Sequence, residues 1–215
     1  MTTLKPFLNS LIYGDCIPVM RQMPSGSIDL VVTDPPFLVG YRPRDGRTIA
    51  GDRDARWLQP AFAEIYRVLK PDSFCVSFYG WNHADQFVGH WKWLGFIPVS
   101  HFAFVKDYAS VDGYTQGFHE VAYLLAKGRP PKPVPPIRDV LPREYTGNEF
   151  HPHEKPVSAI EPLIAAFSKL NDVVLDPFAG SGTTGLAARK GGRKFILIEK
   201  MPRYYSAALK RLNLA

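Results

Sequence analysis

Two short polar segments, far apart in the chain, hold residue types that could do chemistry together. Asp34-Pro35-Pro36-Phe37 follows the apolar run 28–32, and Asp176-Pro177-Phe178-Ala179-Gly180-Ser181-Gly182-Thr183-Thr184 follows the apolar run 173–175. In the first, a carboxylate and the Pro35 carbonyl offer two acceptors to the two N–H groups of a planar primary amine. Such an amine is a weak nucleophile, because its lone pair is conjugated into the ring that carries it. Two acceptors that each take one N–H would draw the nitrogen toward tetrahedral geometry while an electrophile is presented in line. The two prolines restrict the backbone and hold that carbonyl in place. Phe37 offers a flat face for stacking a base extruded from a duplex, and it has no hydroxyl for any other role. Taken alone, Asp-Pro-Pro is also an ordinary turn at the end of a strand.

The second segment suits a cofactor. Gly180-Ser181-Gly182-Thr183-Thr184-Gly185 fits G-x-G-x-x-G between a strand and a helix expected over 183–190. Glycines there let a ligand approach the backbone, and Glu199, closing the next apolar run, is placed to accept hydrogen bonds from ribose hydroxyls. The chain beyond Gly185 has room for one strand and one helix, too little for the second half that nicotinamide enzymes require. No lysine follows Gly182, which disfavours a Walker phosphate loop. An adenosine-type ligand without a pyrophosphate remains, and S-adenosylmethionine fits, with Glu199 on the ribose and the glycines against its amino acid end. The competing reading is a glycine-rich turn that only packs helix on strand.

Elements must hold these segments together. Short runs rich in β-branched or aromatic residues at 11–13, 28–32, 74–78, 98–105, 121–126, 173–175 and 194–198 predict seven strands. Phe62, Ile65, Tyr66 and Leu69 share one helical face before Lys70-Pro71. Ile160, Leu163, Ile164 and Phe167 share another, and a last helix from about Pro202 would bury Tyr205, Ala208, Leu209 and Leu212. This alternation predicts one α/β domain over residues 1–215, with a mostly parallel sheet and helices on both faces. Ligands bind beyond the carboxyl ends of such strands, so the two segments read as halves of one site.

Composition narrows the partner. Lys and Arg outnumber Asp and Glu by 26 to 20, for a net charge of +6 and a pI near 9.3, which suits a polyanion such as nucleic acid. Two segments interrupt the strand–helix rhythm: 41–56, with Arg42, Arg44, Arg47, Arg53 and Arg56, and the proline-rich 128–152, with Arg129, Lys132, Arg138 and Arg143. Both read as loops, and Arg42, Arg44, Arg47, Arg53, Arg56, Arg129, Lys132 and Arg138 are the candidate DNA contacts. Cys16 and Cys75 lack metal-ligand spacing and disulfide density, so they read as buried apolar groups of a cytoplasmic protein. No run has the length of a membrane span. His151, His153 and Glu154 suggest a shaped loop near the cofactor, with no metal, and His119-Glu120 a strand start. Trp81, Trp91 and Trp93 are read as core.

Taken in order, Tyr13-Gly14-Asp15, Ser27-Ile28-Asp29-Leu30 leading into Asp34-Pro35-Pro36-Phe37, Arg67-Val68-Leu69-Lys70-Pro71, His119-Glu120 with Lys127-Gly128, His151 to Pro156 and the Asp176 to Thr184 run resemble the amino-group DNA methyltransferases. These enzymes modify adenine N6 or cytosine N4. The tetrapeptide precedes the cofactor loop, as in the family's permuted β group. That order implies a Rossmann-like sheet entered at its third strand, with the first two supplied last. The resemblance makes Asp34, Pro35, Pro36 and Phe37 the catalytic set. It places Asp15 near the cofactor adenine and Lys155-Pro156 near its methionine end, with Asp176, Phe178, Gly180, Ser181, Gly182, Thr183, Thr184 and Glu199 as further contacts to S-adenosylmethionine. Phe37 stands where tyrosine is commoner, and the space between Gly128 and His151 is small for a separate target-recognition region. Specificity would then be relaxed, limited to a short site, or supplied by a homodimer partner. Asp at the head of the tetrapeptide resembles adenine enzymes, so the expectation is N6 methylation of adenine in double-stranded DNA. Cytosine N4, an RNA or protein-amide substrate, and a non-catalytic binder of cofactor and DNA are the alternatives. A cognate restriction endonuclease and a nucleoid-associated prokaryotic, phage or plasmid setting complete the expectation.

Overall fold

Ile28–Thr33 is a six-residue strand whose side chains are buried almost throughout, as a strand covered on both faces must be. The computed structural model describes residues 3–40, 49–111, 114–147, 149–150 and 154–214. In chain order its elements are β1 (Ser10–Tyr13), α1 (Cys16–Arg21), β2 (Ile28–Thr33), α2 (Leu58–Val68), β3 (Leu69–Phe78), α3 (Ala84–Trp93), β4 (Ile97–Val111), β5 (Gln116–Lys127), β6 (Val140–Pro142), α4 (Val157–Phe167), β7 (Val173–Asp176), α5 (Thr183–Lys190), β8 (Lys194–Glu199) and α6 (Pro202–Leu212).

The strands form one sheet in the order β1-β8-β7-β2-β3-β5-β4-β6. The first five in that order are parallel neighbours; β5 runs antiparallel to both β3 and β4, and β6 lies parallel to β4. The chain enters at an edge with β1, whose inward neighbours β8 and β7 come last, which is the permuted order expected. β2 pairs with β7 through Leu30↔Val174 and Val31↔Leu175. The chain leaves these two strands in opposite directions, so the switch point of the sheet lies between Asp34 and Asp176, where a crevice must open.

Alternate strand residues feed two apolar layers. Leu30, Val32, Val76 and Leu197 join residues of α4, α5 and α6 on one face, while Val31, Cys75, Ile196 and Ile198 join α1, α2 and α3 on the other. Both cysteines are buried, with free thiols. Each fully buried Leu, Ile or Phe contributes roughly 1.5–3 kcal/mol of transfer free energy, and this is what clamps the strand ends that carry the polar segments.

The sheet departs from the sequence reading in four respects. Among the described residues it has eight strands instead of seven, because β6 is drawn from the proline-rich segment, where three residues pair with β4 at Ala103↔Val140 to Val105↔Pro142. An isolated three-residue run gives no periodic signal; its partner strand makes it a strand. Both β4 and β5 run past the expected 98–105 and 121–126 as a two-stranded ribbon. Leu69 begins β3 instead of closing α2. Of the three tryptophans read as core, Trp91 is fully buried, but Trp81 and Trp93 are 72% and 71% exposed, because each sits at an end of α3 where the apolar layer runs out. Among the described residues, no helix is long and apolar enough to cross a membrane.

Candidate active site

A cleft opens at the switch point, lined from β2 by Asp34, Pro35, Pro36 and Phe37 and from β7 by Asp176, Phe178 and Gly180. The turn after β2 is held from two sides. Gly80, just past β3, lies so close that a Cβ there would sit 2.4 Å from the Phe37 carbonyl oxygen. On the other side Asp52, itself buried, accepts the Val39 N–H at 3.2 Å on its carboxylate and the Gly40 N–H at 3.0 Å on its main-chain carbonyl. The Trp57 indole donates to the Gly51 carbonyl at 2.9 Å, and its ring meets Phe178 edge-on at 5.1 Å. Residues 49–57, the described end of the first arginine-rich segment, therefore form a wall of the cleft.

Lys155 joins the two halves. Its ammonium lies 2.6 Å from Asp34 Oδ2 and 3.1 Å from Glu120 Oε2, while its main-chain carbonyl accepts the Thr183 hydroxyl at 3.0 Å. The same ammonium lies 5.4 Å from the Phe37 ring centre and 4.8 Å from that of Phe78. Arg143, also buried, stands 3.3 Å from Glu120, donates to the Glu154 carbonyl at 3.1 Å and donates to the Tyr108 hydroxyl. Glu154 in turn pairs with Arg211 of α6 at 3.1 Å, and Arg211 donates to the carbonyl and hydroxyl of Ser181. An ionic chain thus runs from Asp34 to the glycine-rich loop.

Burial pulls the Lys155 ammonium toward neutrality, yet Asp34 and Glu120 more than reverse this and hold it above the usual lysine range. For Asp34, burial pushes the carboxyl up, and Lys155 opposes the push. Glu120 is desolvated too, but Lys155 and Arg143 hold it below the usual carboxylate range. Asp34 Oδ1 is buried and has no hydrogen-bond partner among the described residues, so Lys155 occupies one carboxylate oxygen and leaves the other with its accepting capacity unused. A buried unpartnered acceptor costs about 1–3 kcal/mol, which a donating amine would recover.

The other half is built around two acids. Asp176 accepts the Thr33 hydroxyl and the Phe178 N–H, each at 3.1 Å, and the Thr184 hydroxyl at 2.6 Å; burial still pushes its carboxyl up to about 7. Glu199 accepts the Gly180 N–H at 2.8 Å and the Met201 N–H at 2.7 Å, one on each oxygen, so each oxygen keeps a lone pair for a further donor. Asp15 caps α1 by accepting the Ile17 N–H at 3.0 Å, pairs with Lys200 at 2.8 Å and lines the cleft.

The positions anticipated from sequence divide into those the cleft gathers and those it does not. Asp15, Lys155, Ser181, Thr183, Thr184 and Glu199 line it together with the residues already named. Gly182 does not: it sits at φ 84°, and a Cβ there would meet Leu212 at 3.0 Å and Ala208 at 3.2 Å, so this glycine lets α6 close over the loop. Gly185 behaves likewise against Leu197, at 2.6 Å. Of the three motif glycines, only Gly180 faces the cleft. Pro156 is the N-cap of α4 and is absent from the lining. Arg129 lies at the opposite end of the sheet, since Lys127 pairs with Ser73 at the start of β3 and the Arg129 N–H donates to Asp72. That register removes it from the cleft-side contacts. Lys132 and Arg138 are exposed on the segment leading to edge strand β6. Arg53 is exposed beside the cleft wall, and Arg56 is also exposed but pairs with Asp54. Arg42, Arg44, Arg47, His151 and His153 lie outside the described residues. Glu120, Arg143 and Gly80 escaped the sequence reading as site residues; the His119-Glu120 landmark was the one available hint.

Comparison with known proteins shows the family and the fold. The DNA methylase family model, which spans the N6 and N4 enzymes, matches residues 28–210, and the chain belongs to that family. It is 52% identical over 205 residues to YubD of Escherichia coli (strain K12), a methylase by designation only, covering 95% of this chain and 90% of that one. It is 31% identical over 247 residues to the DNA adenine methyltransferase YhdJ of the same strain, covering 96% and 83%. Among solved structures, the DNA modification methylase TTHA0409 of Thermus thermophilus, complexed with S-adenosyl-L-methionine, superposes with a TM-score of 0.70 at 26% identity, covering 95% and 94%.

Proposed function

We propose that this chain is an S-adenosylmethionine-dependent methyltransferase that modifies the N6 amine of adenine in double-stranded DNA. One observation carries the reading: the Asp34–Phe37 turn, with an unpartnered carboxylate oxygen, opens into the same cleft as the Gly180 loop and Glu199. The donor set fits the cofactor. Glu199 has lone pairs for ribose hydroxyls, Phe178 supplies an aromatic wall, and Asp176, raised by burial and further by the nearby charge of Asp34, would be relieved by a cationic sulfur beside it. When bound, S-adenosylmethionine supplies a methyl group on that positively charged sulfur.

The chain's own residues do the rest. Lys155 fixes the Asp34 carboxylate through Oδ2, so that Oδ1 can accept one amine N–H while the Pro35 carbonyl accepts the other. The nitrogen lone pair is thereby turned out of the base ring. Phe37 stacks on the flipped base, and the missing side chain at Gly80 lets the turn that carries both groups lie against the end of β3. Lys155 stays charged, and the amine proton is released after transfer either to Asp34, whose carboxyl burial raises, or to solvent. The aspartate at the head of the tetrapeptide favours adenine over cytosine.

The test is incubation of the purified protein with unmethylated duplex DNA and S-adenosylmethionine, followed by digestion to nucleosides and mass analysis. N6-methyladenine is the expected product. N4-methylcytosine would keep the mechanism and change the base. Neither product, with cofactor binding demonstrated, would sink the reading in favour of a non-catalytic binder or a different substrate.

A further inference from the structure

The ribbon formed by the outer parts of β4 and β5 has no part in the chemistry described above, yet it stands on the same end of the sheet. Thr33, the residue before Asp34, pairs with Ser77, and Ser77 pairs with Tyr123. From Tyr123, β5 continues back through the Val105↔His119 pair to Val111↔Gln116. That is up to about 23 Å of strand beyond the level of Thr33, at roughly 3.3 Å per residue. β5 is antiparallel to β2, so this extension projects on the side where the flipped base must arrive.

We propose that the β4–β5 ribbon is the element that reads the DNA sequence, by entering the major groove next to the target base. The proposal rests on the DNA-methylating function proposed above. A two-stranded ribbon has the width that the major groove of B-DNA admits. Among the described exposed positions of the ribbon the one charged residue is Asp107, and several groups suit base edges: Thr115 and Gln116, with Phe118 and His119 following on β5. Tyr114, beside the tip, is 98% exposed and Phe118 is 43% exposed, so both rings are accessible to apolar contact with a base edge. Low charge argues against phosphate binding as the ribbon's task; hydrogen-bonding amide and hydroxyl groups argue for base readout.

The base of the ribbon is wired to the site. Pairing shifts register between Val105 and Ser110, and within that irregular stretch Lys106 is buried while the Tyr108 hydroxyl meets Arg143 and its ring meets Tyr145 at 5.0 Å. Arg143 continues to Glu120, Lys155 and Asp34. A ribbon seated in the groove is therefore held in fixed relation to the carboxylate that receives the amine. A reading element placed here also accounts for how a short 128–152 segment can go without a separate recognition region.

The experiment uses the full-length protein and a duplex library with randomised sequence around the target base, sequenced for methylated positions. It compares the wild type with Gln116→Ala, Thr115→Ala and Phe118→Ala. Cofactor binding by calorimetry and the thermal midpoint establish that each variant is folded. The expected result is a relaxed sequence preference at one or two positions for Gln116→Ala and Thr115→Ala, with KM for DNA raised about tenfold and cofactor affinity unchanged. Variants that are folded and methylate the same sites with wild-type KM would overturn the ribbon's role. So would a variant whose only change is in self-association, which would make the ribbon a contact between copies of the chain. A wild type that methylates no DNA would strike the function itself, a result separate from either of these.

Discussion

Asp34 carries the functional reading, and its neighbours decide how it must behave. Asp34→Ala removes the proposed acceptor for the amine but leaves Glu199, Phe178 and Gly180 in place. Methyl transfer should fall by at least roughly a thousandfold while S-adenosylmethionine affinity stays within a few-fold, measured by single-turnover kinetics and calorimetry. Asp176 makes a different prediction. Its carboxyl is raised from an ordinary 3.8 to about 7, so the folded chain binds its proton more tightly than the unfolded chain does. The associated stability is complete below about pH 4 and is lost as pH rises through about 7. Asp176→Asn should flatten that part of the profile; a denaturation midpoint that still drops over the window would count against the assignment. At this scale the tetrapeptide and the Gly180 loop were legible, because each is a contiguous run with its own chemical logic. Lys155 on Asp34 was not. The two lie 121 positions apart, and resemblance placed this lysine at the other half of the cleft.

At the level of elements, three glycines separate catalysis from packing. Gly180 faces the cleft, and the other two test the contrast. Gly80→Ala would drive a Cβ into the Phe37 carbonyl, displacing the turn that holds Pro35 and Phe37. It should depress kcat strongly with cofactor binding nearly intact. Gly185→Ala would press on Leu197 between α5 and β8, far from the amine, and should cost about 1–3 kcal/mol of stability as overpacking. Thermal melts and kcat measured on both variants check the difference. The strands buried on both faces were readable as apolar runs, α2, α4 and α6 from their spacing, and α5 from the glycine motif that precedes it. What escaped was set by pairing partners: β6 is a strand only because β4 lies beside it, and the outer ribbon of β4 and β5 alternates too irregularly to announce itself. The exposure of Trp81 and Trp93 was equally hidden, since an aromatic residue in the sequence does not say where the apolar layer stops.

For the molecule as a whole, the net charge of +6 is a statement about approach to a polyanion, and the arginines beside the cleft let it be tested one at a time. Arg53 is exposed beside the cleft wall, so Arg53→Ala should weaken DNA binding and lower the slope of log K against log salt by about 0.9. Arg56 already pairs with Asp54, so Arg56→Ala should lower it by less. Equal slopes for wild type and both variants, from binding titrations at several salt concentrations, would make this segment a wall and nothing more. The permuted strand order was legible from the order of motifs, and the sheet repeats it.

The hydrogen bond from Thr33 to Asp176 joins residues 143 positions apart. The two halves of the cleft are brought together only when that distance has been closed, because β2 and β7 are neighbours in the sheet although β3 to β6 lie between them in sequence. Closing so long a loop is entropically slow compared with forming helices or the local β4–β5 pairing. During refolding, helical signal should therefore return first and cofactor affinity last. A chain caught partway would hold neither ligand, so an unfinished copy of this protein leaves no mark on DNA.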